Sequence, residues 1–153
     1  MKFPKRQSLA VLLLVIAVSA QQNRNLNEAN AVGSVRVLNT AEATYANRHP
    51  QEGFACTLSQ LASAGLINAA LASGRTNGYR FSLNCGGAQR PYVRVTVQSL
   101  PNGSRSGVRA FCSDLYLSNG KIVGGAINVS NDGRADTCFI KGEPLQLGLS
   151  PAR

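Results

Sequence analysis

The chain has few of the residues that most enzymes are built from. Its 153 residues include one histidine and seven acidic side chains. There is no Gly-x-Ser-x-Gly elbow, no Gly-rich loop with a phosphate-binding Lys, and no close pair of carboxylates. The lone histidine, His49, stands beside Pro50 at a predicted helix end. That position suits it to capping carbonyls rather than to moving protons. These absences remove the common nucleophilic, phosphoryl-transfer and acid–base machinery, so the sequence predicts a non-enzymatic protein with no cofactor and no metal.

Also missing is an apolar run long enough to cross a bilayer. The longest, Leu9 to Ala20, has twelve residues, whereas a spanning helix needs about 20. Lys2, Lys5 and Arg6 precede it and Val18-Ser19-Ala20 ends it. A basic start, a short apolar middle and a small-residue end are the three parts of a secretory signal peptide. The expectation is therefore a signal over residues 1–20, cleavage after Ala20, and one domain over residues 21–153 with no stable membrane span. Internal repeats and low-complexity linkers are absent as well.

Four cysteines are present, Cys56, Cys85, Cys112 and Cys138, all after the signal segment. No Cys-x-x-Cys occurs, and the long separations fit neither zinc nor redox motifs. An even set in an exported chain predicts structural disulfides. Of the three pairings that four cysteines allow, Cys56–Cys85 with Cys112–Cys138 makes two local closures and is the one expected. The full chain carries a formal charge of +9, and loss of Lys2, Lys5 and Arg6 leaves +6, most of it Arg. Such a surplus favours a polyanion as partner, nucleic acid or anionic glycan, and says nothing about fold.

Hydrophobic periodicity orders the rest. Ala31, Val35, Leu38, Ala41 and Tyr45 recur at three- and four-residue steps, which predicts a helix from Asn27 to about His49, ended by Pro50. Thr57 and Gln60 form a capping box for a second helix, broken near Gly65 and resumed from Leu66 to Leu71. The period then changes to two. Tyr79, Phe81, Leu83 and Cys85 alternate with Arg80, Ser82 and Asn84, and Val93, Val95 and Val97 alternate with Arg94, Thr96 and Gln98. Pro101-Asn102-Gly103 turns into a strand over Val108 to Ser113. Asn119-Gly120 turns into Lys121 to Val129, and Asn131-Asp132-Gly133 leads to a short last strand at Cys138 to Ile140. One long N-terminal helix packed on a small antiparallel β-sheet is an α+β fold. Its predicted contact puts Val35, Leu38 and Tyr45 against Tyr79, Phe81, Leu83, Val93, Val95 and Val97.

Several segments resemble the type IV pilins and pseudopilins: Asn27 to Tyr45, Gly53 to Leu61, Leu71 to Gly74, Gly78-Tyr79, and Phe111-Cys112-Ser113-Asp114. The resemblance covers most of residues 27 to 145 and is strongest before Cys85. It implies that the helix is the C-terminal half of a spine lying across a pilin-like head. It also implies pilus or secretion-apparatus subunits as partners and a periplasmic, secreted or cell-surface location. The family's processing signal, Gly before Phe or Met with Glu five residues into a membrane helix, is missing here. The resemblance further points to calcium at the C-terminal loop Asn131 to Asp136, but Arg134 in its middle fits an Asp-Gly turn better. Besides a pilin-like subunit, the sequence admits a free-standing secreted module that binds an acidic polymer. Its candidate surface is Arg80, Arg94, Arg109 and Phe111 on the outer sheet face, with Val108, Ala110 and Cys112 turned inward.

Overall fold

The computed structural model describes residues 5–86, 91–100 and 107–145, with side chains from Ser19 onward. The charged and apolar residues behind the signal expectation, and the turn at Pro101, lie outside the described side chains or segments. A single helix, α1, runs over Lys5–Arg48, followed by α2 (Leu58–Ser63) and α3 (Ala69–Ala72). The strands β1 (Arg75–Thr76), β2 (Tyr79–Gly86), β3 (Tyr92–Ser99), β4 (Ala110–Ser118) and β5 (Lys121–Ser130) come next. A helix α4 (Ala135–Lys141) and strand β6 (Glu143–Pro144) complete the order.

All six strands form one antiparallel sheet in sequence order, so every neighbour in the chain is a neighbour in space. The Asn119-Gly120 hairpin has positive φ at both residues, 51° and 73°. That backbone suits the twist of a tight hairpin and explains the Asn-Gly pair. Near the other end of this hairpin the register shifts between Ser113 and Leu115. Gly124, at φ 101°, makes the shift fit, because a Cβ there would meet the Asp114 carbonyl.

Helix and sheet bury each other. Val35, Leu38 and Tyr45 join Tyr79, Phe81, Val95, Val97, Phe111 and Val129 in the main core. Ala46, Phe54, Val93 and Leu115 form a second cluster next to it. The predicted interface is thus present, and burial of the apolar face of α1 is what holds the helix on the sheet. Asn39 adds a polar clamp, its amide donating to Ser113 Oγ at 2.9 Å and to the Gly125 carbonyl at 3.1 Å. Fully buried Glu42 accepts from the Ala55 amide at 2.9 Å and fixes the chain where it leaves α1. Thr57 caps α2 as expected, while α3 is capped by Asn68. The two disulfides join Cys56 to Cys85 and Cys112 to Cys138, the expected pairs.

Several expectations need correction. The helix expected to resume at Leu66 starts only at Ala69, after its Asn68 cap. Cys138 to Ile140 are helical, within α4, because seven residues with Asp136 in the first turn and Lys141 in the last complement the helix dipole. The phase of β4 is also one residue off. Its register sets Phe111 opposite Val97, Ser113 opposite Val95 and Leu115 opposite Val93, so these residues face α1. Cys112 points to the opposite face, where the bridge to Cys138 ties down α4.

Candidate functional site

That change of phase rearranges the predicted basic surface. Phe111 is fully buried in the core and Val108 is 59% exposed, the reverse of what alternation predicted. Arg109 leaves the surface group altogether. It lies at the loop entering β4, where its Nε and Nη2 reach Glu28 Oε2 on α1 at 2.7 and 2.6 Å. Glu28 Oε1 accepts from the backbone amides of Val108 at 2.9 Å and Arg109 at 3.3 Å. Glu28 is buried, so this pair is a clamp between helix and sheet rather than a ligand site. Tyr79 is buried beside it. Burial first, and the Glu28 charge second, hold its phenol well above the ordinary tyrosine range.

Arg80 and Arg94 do face outward. On that face the ladder sets Arg75 opposite Arg80, Arg80 opposite Gln98, Ser82 opposite Thr96, and Asn84 opposite Arg94. One row further, Tyr92 stands opposite Tyr116, which stands opposite Val123. All three are exposed. The Arg94 guanidinium lies 4.9 Å from the Phe139 ring centre on α4 and 5.9 Å from that of Tyr92. Arg75 and Tyr92 belong to this surface. The Tyr92 position could have been found in sequence, since it shares the phase of Arg94, whereas Arg75 sits in a strand of two residues that no periodicity reveals.

The loop after β5 is organised by its own side chains. Asp132 accepts from Ser130 Oγ, from the Arg134 amide at 2.9 Å and from Thr137 Oγ1. These hydrogen bonds, Ser130 first, lower its carboxyl to about 2. Asp136 is held by the Arg134 guanidinium at 2.7 Å. The carboxylates are therefore spent within the turn, and no described group of three His, Cys, Asp or Glu converges as a metal site. His49 stacks on Tyr45, with ring centres 4.3 Å apart, and faces Glu52 at 3.7 Å. Its imidazole does not cap the carbonyls of α1.

A second open surface runs along α1. Ala29, Asn30, Gly33, Ser34 and Val37 line a groove of about 400 Å³ with α3 and Asn77, and Arg36, Thr40 and Thr44 continue the helix flank beside Leu66. Val37 is 48% exposed and Leu26 60% exposed. Every buried α1 side chain among the described residues lies at or after Glu28, although the helix continues far to its N-terminal side. No described helix is long and apolar enough to cross a membrane.

Comparison of the chain with protein-family models, curated proteins and solved structures gives no match.

Proposed function

We propose that the chain is an exported, non-enzymatic subunit of pilin or pseudopilin type, which docks on, caps or regulates a type IV pilus or a type II secretion-type filament. One observation carries this proposal: a single long helix lies across a small antiparallel sheet with one flank left open, over the residues whose sequence resembles the pilin spine and head. The flank combines small side chains with exposed Val37, which allows another helix or head to approach closely. The two disulfides fit an oxidising compartment. Cleavage after Ala20 would leave every described buried contact of α1 intact, since these begin at Glu28.

Copurification is the test. Tagged protein should be exported with a mature N-terminus near Gln21 and should be recovered with sheared filaments or secretion-filament subunits. Recovery of intact Met1 in the cytosol, without any pilin-type protein, would overturn the proposal.

A further inference from the structure

The outer face of β2 and β3 is open to solvent, since α4 packs chiefly on β4 and β5. Its chemistry is uneven in a useful way. At one end Arg75 and Arg80 stand directly opposite each other, two like charges that repel unless an anion lies between them. Neither has an acidic partner among the described residues. At the other end is an aromatic platform. Gly86 has no Cβ, and one added there would run into the Tyr92 phenol, so the phenol end of Tyr92 occupies the space over Gly86 on β2. Tyr92 is 39% exposed and stands opposite Tyr116. Arg94 stands between the two ends. It is four residues along β3 from Gln98, the ladder partner of Arg80, or about 13 Å at ~3.3 Å per residue.

We propose that this strip binds single-stranded nucleic acid, with unpaired bases on Tyr92 and Tyr116 and phosphates on Arg94 and the Arg75–Arg80 pair. Charge complementarity selects a polyanion, and Arg offers bidentate contacts to phosphate. The flat ring selects a ligand with free π-faces, which a duplex keeps inside its stack. An anionic glycan fits less well. The outer positions of β2 and β3 carry no carboxylate to accept from sugar hydroxyls, Asp114 on β4 stands directly opposite Arg94, and the Ser82 and Thr96 hydroxyls are bonded to each other. This inference goes beyond the filament role and does not depend on it.

Fluorescence anisotropy tests it on the intact exported chain, with a labelled oligo-dT of about 12 nucleotides, a duplex of equal length and a polyuronate, each at about 50 and about 200 mM salt. The oligo-dT should bind at low salt and more tightly than the other two. Tyr92→Ala should weaken it about 5- to 100-fold, while Tyr92→Phe should bind like the parent. Joint Arg75→Ala and Arg80→Ala should reduce the slope of log K against log salt by about 1.4. Joint Arg36→Ala and Arg48→Ala, an equal loss of charge from exposed positions on α1, should leave affinity unchanged. The inference is overturned if oligo-dT does not bind at low salt or if the duplex or polyuronate binds as tightly. It is equally overturned if Tyr92→Ala has no effect or if the α1 pair matters as much as the strand pair.

Discussion

Replacing Glu28 with Gln swaps one buried carboxylate oxygen for an NH₂ group, and the consequence follows from what the two carboxylate oxygens hold. Glu28 accepts three hydrogen bonds, two from backbone amides on Oε1 and one from Arg109 Nε on Oε2, and Oε2 also pairs with Arg109 Nη2 at 2.6 Å. A Gln amide can keep the first two only by turning its NH₂ toward the guanidinium, donor against donor. The charge-assisted pair is then lost. The Glu28 side chain is 7% exposed and that of Arg109 40%, so the loss falls between that of a surface pair, below about 1 kcal/mol, and a buried one, about 3 to 5 kcal/mol. A value of about 2 kcal/mol follows, which lowers Tm by about 6 to 10 °C in a domain of this size. Urea denaturation of Glu28→Gln, Arg109→Met and the double variant measures it, and the coupling energy should be about 1 to 2 kcal/mol. A loss below about 0.5 kcal/mol in Glu28→Gln, with no coupling to Arg109, would refute the clamp.

Leu38 is fully buried between α1 and the sheet. Leu38→Ala should cost about 2 to 5 kcal/mol in the same assay, and a cost below about 0.5 would place the side chain outside the core. The disulfides enclose sequence separations of 29 and 26 residues, each worth about 3.5 kcal/mol on the chain-entropy model. Joint Cys112→Ser and Cys138→Ser should therefore destabilise the fold and raise amide exchange in α4 first. Equal exchange across the whole chain would contradict the anchoring of α4 to β4. Asp132, lowered to about 2 in the fold, contributes stability above its unfolded value of about 3.9 and loses that contribution as pH falls toward 2. A carboxyl-carbon NMR titration with its Asp132 midpoint at or above about 3.9 would contradict the turn geometry.

The helix, the meander and both disulfides were legible because each leaves a local signature: a 3.6 period through Val35, Leu38 and Tyr45, a period of two through Tyr79 to Cys85 and Val93 to Val97, and Asn119-Gly120 between strands. The phase of β4 was not legible, for a physical reason. Ala110, Phe111, Cys112 and Ser113 are all buried because α1 covers one face and α4 the other, so no alternation marks which side faces in. Seven residues of α4 complete too few turns to show a helical period, which hid the element that covers the second face. Arg109 read as a surface cation because its partner, Glu28, lies 81 residues away in sequence. Tyr92 was missed for a smaller reason. It stands at the start of β3, and the space over Gly86 that its phenol occupies exists only once β2 and β3 are paired.

The proposed filament role turns on what touches the open flank of α1. A photo-crosslinking amino acid at Val37, with a second variant carrying it at Val123 on the opposite face of the molecule, reads this directly in cells that assemble the filament. A covalent adduct between the Val37 variant and a pilin or pseudopilin subunit is expected, and none of that kind from Val123. No pilin-type adduct at Val37 while filaments form, or the same adduct from both positions, would contradict it.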